Sequence, residues 1–343
     1  MSMSPTTMPA VAYRRNLPVD DDESLVDVEM PVPRPKPHDL LVQVEAIAVN
    51  PVDYKVRQNT DPRGEPKVLG WDAAGTVIAV GDEVDLFEVG DEVYYAGAID
   101  RSGANARFHA VDERIAARKP TTLSFTEAAA LPLTSLTAWE GLFERTGLRH
   151  DAFDRTGTLL VTGAAGGVGA MVTQLAGALT GLTVIGTASR PETAEFARRM
   201  GADHVVDHHR PLKEQLAEVA PNGLDYVFST AGTDRQLRAY ADLMNPLGHI
   251  VAIDDHDMLP VGALKAKSIS FHSEFMFTRA LFHTPDMAAQ HRILTRIARL
   301  VDRRVLVTTA TRDLGIVSAA HLREAHRIME SGTAIGKITL TGF

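Results

Sequence analysis

The chain has 343 residues, a length that predicts two domains, and its 45% hydrophobic and 23% charged residues are typical of a globular protein. A formal net charge of −9 with scattered basic residues argues against binding to nucleic acid, and no apolar run is long enough to span a membrane. Cysteine is absent, which excludes disulfides, thiolate metal sites and a catalytic cysteine. The first ten residues contain no recognisable secretory signal, so we expect a cytoplasmic location.

The first 117 residues predict a β-rich domain of short strands and turns. Predicted strands lie at 40–47, 77–80 and 92–95, with glycine-containing turns between the later ones. Ser124 and Glu127 have the spacing of a capping box, which predicts the start of a helix, and a second helical stretch follows at 134–145.

From residue 158 onward, apolar strands alternate with helices. The predicted strands are 158–162, 182–186, 205–206, 226–228, 250–253 and 269–271, with helices at 167–179 and 191–200. Continuous apolar strands separated by helices predict a doubly wound parallel sheet, the Rossmann type of α/β fold. Six strands fill such a sheet, so we assign the helix at 287–302 and the strand at 338–340 to the N-terminal domain. The predicted domains are therefore 1–133 with 284–343, and 134–283.

A glycine-rich segment lies between the first of these strands and its helix. It contains Gly163, Ala164, Gly166, Gly167, Val168 and Gly169. Glycines in this context let the backbone approach a pyrophosphate, whose charge then meets the N-terminus of the helix. The segment therefore predicts a dinucleotide-binding site, and the alternative is a tight turn that binds nothing.

The residues after the second strand indicate which dinucleotide is bound. Proteins that bind NAD place an acidic residue about 20 residues beyond the glycines, on the ribose hydroxyls. This chain has Ser189 and Arg190 there, a hydroxyl and a guanidinium suited to a 2′-phosphate. We therefore predict NADPH as the cofactor, and the alternative is that Arg190 only begins the next helix or is solvated.

With its cofactor motif late in the chain, after a β-rich half, the sequence resembles the medium-chain dehydrogenase/reductase superfamily. Segments similar to its quinone oxidoreductase branch are 49–55 (VNPVDYK), 69–75 (LGWDAAG) and 131–139 (LPLTSLTAW). Segments similar to its bacterial zinc-type alcohol dehydrogenase-like subgroup are 264–268 (LKAKS), 275–279 (FMFTR) and 334–338 (AIGKI). The resemblance covers nearly the whole chain and implies a GroES-like catalytic domain beside the Rossmann domain.

The zinc ligands of the zinc-dependent relatives are not found in this sequence. Where those relatives have a cysteine, a histidine and a third ligand, this chain has Asn50, Trp71 and a residue near Leu133. A catalytic zinc needs three suitable protein ligands, so we predict no metal. Histidines at 204, 208, 209 and 256 are interpreted as surface or turn residues.

Without a metal, hydrogen-bond donors must stabilise the negative charge that hydride transfer creates on a carbonyl oxygen. The candidates are Asn50, Tyr54 and Lys55, on a predicted loop where the relatives hold substrate, and Asp53 is expected to order this loop or pair with Lys55. The alternative for each residue is a purely structural role. The resemblance further implies that Thr137 approaches the nicotinamide and that Lys337 approaches the phosphates.

These observations predict a zinc-independent, NADPH-dependent oxidoreductase that reduces a small quinone or an α,β-unsaturated carbonyl compound. A zinc-type alcohol dehydrogenase and an NADPH-binding redox sensor without turnover are the alternatives. The strand near 268–275 should lie at the edge of the cofactor sheet, and an unpaired apolar edge predicts a homodimer. No nucleic acid or membrane partner is expected.

Overall fold

The computed structural model describes residues 6–151, 153 and 156–343. The chain forms two compact units, Met1–Leu133 with Phe277–Phe343, and Thr134–Met276. The second compact unit ends at residue 276, whereas the sequence predicted a domain boundary after 283. The ring of Phe277 packs edge-on against Trp71 with centroids 6.0 Å apart, which ties this part of the chain to the first unit.

The strands and helices are numbered in chain order. The strands are β1 (Thr7–Tyr13), β2 (Val26–Pro31), β3 (Asp39–Val49), β4 (Lys67–Val68), β5 (Asp72–Val80), β6 (Glu92–Tyr95), β7 (Phe108–Asp112), β8 (Ala116–Arg118), β9 (Thr158–Val161), β10 (Thr183–Thr187), β11 (His204–Val206), β12 (Leu224–Ser229), β13 (Met244–Ala252), β14 (Ser270–Ser273), β15 (Ala310–Ile316) and β16 (Lys337–Thr341). The helices are α1 (Pro51–Asn59), α2 (Phe125–Ala129), α3 (Pro132–Trp139), α4 (Gly167–Leu179), α5 (Pro191–Arg199), α6 (Leu212–Val219), α7 (Thr233–Leu243), α8 (Thr278–Leu281), α9 (Ala289–Asp302) and α10 (Ala319–Glu330). A π-helical turn, Glu140–Arg145, continues α3.

The first unit is built on a seven-stranded sheet in the order β15-β16-β3-β5-β6-β8, with β7 also paired to β3. A smaller sheet, β2-β1-β4, accompanies it. Strand β16 pairs antiparallel with β3, with Ile338 opposite Val49, so the end of the chain completes the sheet of this unit. The GroES-like domain predicted for this part of the chain is confirmed.

The second unit contains a parallel sheet in the order β11-β10-β9-β12-β13-β14. The order reverses between β9 and β12, and in doubly wound sheets a ligand binds at this switch point, beyond the carboxyl ends of the strands. The predicted Rossmann fold is confirmed, helix α4 has the predicted bounds, and β14 lies at the sheet edge as expected.

Local capping signals act as predicted at the start of α2. The amide of Ser124 donates to Oε2 of Glu127 at 2.9 Å, and the amide of Glu127 donates back to the Ser124 hydroxyl at 3.3 Å.

Within the described ranges, no helix is both long and apolar enough to cross a bilayer.

Candidate functional site

The glycine-rich turn follows β9, at the switch point of the second unit. The amide of Gly163 donates to Oγ1 of Thr187 at 3.0 Å, and that of Ala164 donates to the Thr187 carbonyl at 3.1 Å. A Cβ atom on Gly169 would lie 2.3 Å from the carbonyl oxygen of Gly163, so only glycine allows α4 to begin this close to the turn. Gly163 itself has φ +58°, the left-handed region that favours glycine.

The N-terminus of α4 supplies the donors for a dinucleotide. The first helical hydrogen bond joins the amide of Ala170 to the carbonyl of Gly166 at 2.9 Å. The amides of Gly167, Val168 and Gly169 precede it and have no acceptor one turn earlier within the helix. With the helix dipole behind them, such amides form an anion-binding site. The turn therefore fits the diphosphate of a nicotinamide dinucleotide.

Ser189 and Arg190 follow β10, the strand beside β9. The backbone of Arg190 begins α5, since its amide donates to Oγ1 of Thr193 at 3.1 Å and its carbonyl accepts from Ala194 at 2.9 Å. This is the structural alternative considered for Arg190. Its side chain nevertheless remains 39% exposed, with Nε 3.4 Å from Oε1 of Glu192, so it is accessible to a phosphate.

Thr137 lies in α3 and is buried, with only 5% of its surface exposed. It belongs to the second unit together with the glycine-rich turn and the pair Ser189 and Arg190. The other predicted site residues, Asn50, Tyr54, Lys55 and Lys337, belong to the first unit.

In the first unit, three polar residues meet at neighbouring ends of β3, β5 and β16. The ammonium of Lys337 donates to the carbonyl of Val49 at 2.8 Å, to Oδ1 of Asn50 at 2.5 Å and to Oδ2 of Asp72 at 2.9 Å. These contacts use all three of its hydrogens, and the side chain is 3% exposed. The geometry therefore favours a structural role for Lys337 over the expected contact with cofactor phosphates.

The amide of Asn50 is also engaged on both sides. Its Nδ2 donates to Oδ2 of Asp72 at 2.8 Å while its Oδ1 accepts from Lys337, and the residue is 2% exposed. Both groups that could polarise a carbonyl oxygen are thus occupied within the protein. Asn50 is placed to hold this end of the sheet together, which was the structural alternative for it.

Asp72 connects the positions that the sequence resemblance matched to the zinc ligands of zinc-dependent relatives. Its Oδ2 accepts from Asn50, its Oδ1 accepts from the amide of Leu133 at 2.7 Å, and Trp71 precedes it. Trp71 is fully buried and its indole donates to the carbonyl of Ala98 at 3.0 Å.

The side chains at these three positions do not fit a zinc ion. An amide already bonded on both sides, an indole N–H and an aliphatic side chain offer no ligand of the kind zinc requires. Within the described ranges, no group of three or more histidine, aspartate or glutamate side chains is placed to hold a metal ion.

Asp53 orders the segment that follows Asn50. Its Oδ2 accepts from the amide of Asn50 at 2.7 Å, which caps the first turn of α1. Burial raises the pKa of Asp53 to about 7, against the opposing hydrogen bonds from backbone amides and the charge of Lys337. Its Oδ1 has no hydrogen-bond partner among the described residues. This carboxyl group is therefore a buried acid within the site.

Tyr54 and Lys55 lie in α1, so the expectation of a loop is wrong here. Pro51 at the first helical position and the cap by Asp53 start a helix directly after β3. Both signals are present in the sequence and could have predicted it. Tyr54 and Lys55 are half-buried on this helix.

Arg57 was missed by the sequence analysis, although it anchors α1. The side chain is fully buried, and it donates to Nδ1 of His326 at 3.3 Å and to Glu330, both on α10, and to the carbonyl of Leu17. Burial, with the charge of Arg57, lowers the pKa of His326 to about 3, so this histidine is neutral. Its partners are far away in the chain, so no local pattern signals the contact.

Two domain families match this chain. Residues 36–130 match the alcohol dehydrogenase GroES-like domain, and residues 167–288 match the zinc-binding dehydrogenase domain. A zinc-type alcohol dehydrogenase-like protein of Staphylococcus aureus is 40% identical over 338 residues, 97% of this chain and 99% of that protein. The 2-methylene-furan-3-one reductase of Solanum lycopersicum is 38% identical over 210 residues, 59% of this chain and 52% of that protein.

Two solved structures have the same fold along nearly the whole chain. One, from Rhizobium etli, is described as a candidate zinc-dependent alcohol dehydrogenase; it is 50% identical, covers 98% of both chains and has a TM-score of 0.93. The Escherichia coli quinone oxidoreductase in complex with NADPH is 25% identical, covers 97% of this chain and 99% of that one, and has a TM-score of 0.80.

Proposed function

Because the chain belongs to the medium-chain dehydrogenase/reductase superfamily, we propose that it is an NADPH-dependent reductase of quinones or α,β-unsaturated carbonyl compounds that works without zinc. The superfamily makes it an oxidoreductase. The cofactor, the substrate class and the independence from zinc are the proposal.

The observation that carries the proposal is the set of contacts around Asp72. The positions expected to correspond to zinc ligands are Asn50, Trp71 and a residue near Leu133, and Asp72 bonds to Asn50 and to the amide of Leu133 and adjoins Trp71. Lys337 supplies the positive charge in this cluster. An enzyme with this cluster needs another way to stabilise the developing charge on a substrate oxygen.

On the cofactor side, the amides at the start of α4 hold the diphosphate, and Ser189 and Arg190 hold the 2′-phosphate. When bound, NADPH supplies the hydride. The partly exposed guanidinium of Arg190, with no acidic residue at the end of β10, supports NADPH over NADH.

On the substrate side, we propose that Lys55 and Tyr54 donate hydrogen bonds to the carbonyl oxygen. Asn50 was the third candidate, and its bonded amide makes it a positioning residue for the start of α1. Lys55 and Tyr54 project from this helix, which Asp53 caps and Arg57 anchors. One well-placed donor contributes about 3 kcal/mol in comparable oxyanion sites.

The names of two similar proteins support the substrate class. The Escherichia coli protein is a quinone oxidoreductase with bound NADPH, and the tomato protein is named as a reductase of 2-methylene-furan-3-one, which is an enone. Small quinones and enones share the conjugated carbonyl that accepts a hydride and leaves negative charge on oxygen.

The proposal is tested by following NADPH oxidation by the purified full chain with a panel of quinones and enones. We expect turnover with members of this panel, and none with simple alcohols plus NADP⁺, whether or not zinc is added. Alcohol oxidation that depends on zinc would favour a zinc-type alcohol dehydrogenase. Tight NADPH binding without turnover on any panel member would favour a redox sensor.

The homodimer also belongs to the proposal. Strand β14 lies at one edge of the six-stranded sheet, so one side of its backbone is available to a second copy of the chain.

A further inference from the structure

Two buried glutamates meet one arginine where β14 ends. Glu140 opens the π-helical turn and is 0% exposed, and Glu274 directly follows β14 and is 4% exposed. Nε of Arg145 donates to Oε2 of Glu274 at 2.7 Å, and Nη2 of Arg145 lies 3.6 Å from Oε2 of Glu140. Oε1 of Glu274 is buried and has no hydrogen-bond partner among the described residues.

This arrangement favours a proton on one of the two carboxyl groups. Two ionised carboxylates have acceptors only, so Glu140 and Glu274 cannot stabilise each other when both are charged. Arg145 balances a single negative charge, and a second buried anion would carry a large desolvation cost. Burial and the neighbouring Glu140 raise the pKa of Glu274 to about 8, although Arg145 opposes this.

One histidine of the sheet lies near the same arginine, and a second histidine contacts the first. His272 on β14 is near Arg145, and Nε2 of His272 lies 3.2 Å from Nδ1 of His249 on β13. Burial, together with the charges of His249 and Arg145, holds the pKa of His272 below its usual range. His272 is therefore neutral above pH 7, where the glutamate pair still holds its proton.

The glutamate pair fixes the turn that continues the helix of Thr137. Gly141 packs directly against β12, because a Cβ atom there would lie 2.6 Å from the ring of Phe228. Glu140 and Arg145 lie at the two ends of the turn, and Arg145 pairs with both Glu140 and Glu274. A π-helical turn has weaker internal hydrogen bonding than an α-helix, so these tertiary contacts determine where α3 ends.

We propose that Glu140 and Glu274 share one proton, and that this protonated pair positions the helix of Thr137, so that cofactor affinity falls when the proton is lost. The shared proton involves residues of the Thr134–Met276 unit alone. The effect on cofactor affinity rests on the proposed function, because it assumes that Thr137 approaches a bound nicotinamide.

The shared proton is tested without cofactor, by thermal unfolding of the full chain between pH 5 and pH 9. A carboxyl group with a raised pKa contributes stability that is complete below its ordinary value of 4.5 and is lost as pH rises through about 8. Glu274→Gln mimics the protonated form and removes this dependence. The Tm of the wild type should therefore fall relative to that of Glu274→Gln by roughly 2 to 4 °C per pH unit between pH 5 and pH 8.

The controls use the same stretch of chain. Glu144→Gln, at an exposed position in the same turn, should follow the wild-type profile. Glu140→Gln should behave like Glu274→Gln, because either neutral amide replaces the shared proton, whereas the double variant should be less stable because Arg145 loses both anions. Parallel profiles for the wild type and Glu274→Gln would overturn the proposal, as would failure of both single variants to fold.

The cofactor part is tested by measuring the Kd of NADPH between pH 7 and pH 9.5. In the wild type the Kd should rise by up to about tenfold per pH unit above pH 8, and in Glu274→Gln it should stay level. Equal pH dependence in both proteins would refute the positioning role. Absence of NADPH binding to either protein at pH 7 would contradict the proposed function as well, while the thermal profiles would still decide the shared proton.

Discussion

The ammonium of Lys337 lies 2.9 Å from Oδ2 of Asp72, and both side chains are almost completely shielded from solvent. Asp72 begins β5 and Lys337 begins β16, and each of these strands pairs with β3. The ion pair therefore joins the last strand of the chain to β5, and Asn50, which directly precedes α1, bonds to both partners. The hydrogen bonds between this ion pair and Asn50 offset part of the desolvation cost that isolated buried charges would carry.

Removal of one partner from this pair should destabilise the protein strongly. We expect Lys337→Met to lower the free energy of unfolding by about 3 to 5 kcal/mol, because it leaves the carboxylate of Asp72 buried without a counter-charge. In the double variant Asp72→Asn with Lys337→Met, the free energy of unfolding should fall by less than the sum of the decreases in the two single variants. Urea unfolding measures these values, with Lys213→Met at an exposed position as the control. A loss no larger than that of the control would contradict the structural role of Lys337.

The purified protein should contain no stoichiometric transition metal, and chelators should leave its activity unchanged. The physical reason is the ligand set, since Asn50, Trp71 and Leu133 cannot replace the side chains that bind a catalytic zinc. Elemental analysis and activity after dialysis against a chelator provide the measurement. About one zinc per chain, together with loss of turnover on chelation, would contradict this prediction.

Arg190→Ala should weaken NADPH binding and leave NADH binding nearly unchanged. A charge-assisted hydrogen bond to phosphate contributes roughly 1.5 to 3 kcal/mol, which corresponds to about one to two decades in Kd. Titration of both cofactors measures the difference, and Arg198→Ala, an exposed arginine near the other end of α5, is the matched control. Equal losses for the two cofactors would show that Arg190 does not recognise the 2′-phosphate.

Lys55→Ala should lower kcat by about one to three decades while leaving NADPH affinity almost unchanged. The ammonium is proposed to stabilise charge that develops only in the transition state. Lys55→Arg should restore activity partly, since a guanidinium carries the charge but is larger and directs its hydrogens differently. Steady-state kinetics measure the effect, with the exposed Gln58→Ala on the same helix as the control. Wild-type turnover in Lys55→Ala would show that other donors polarise the substrate carbonyl.

The protein should be a homodimer of about 74 kDa, twice the 37.1 kDa of one chain, associated through β14. Phe275→Glu, which places a charge beside this sheet edge, should shift the equilibrium toward monomer. Phe282→Glu makes the same change at an exposed apolar residue of the other unit and should have no effect. Light scattering at micromolar concentration measures the mass, and a wild-type monomer would refute the prediction.

Features that depend on neighbouring residues could be predicted from the sequence. The apolar runs, the glycine-rich turn and the bounds of α4 follow from local pattern, because a strand, a tight turn and a helix start are each specified within a few residues. The capping box of Ser124 and Glu127 is another local feature that formed as predicted. Local pattern was misinterpreted at α1, where a loop was predicted although Pro51 lies at the first helical position and Asp53 caps the helix.

The roles of the buried charged residues were decided only by the tertiary structure. Lys337 meets Asp72 because β3 lies between β16 and β5 in the sheet, and Arg145 meets both Glu140 and Glu274 because the π-helical turn packs against β13, the neighbour of β14. The partner of such a group, its burial and therefore its pKa are set by residues distant in the chain. Desolvation acts on the folded surroundings of a charge and not on its sequence neighbours, so no local pattern could have identified these contacts.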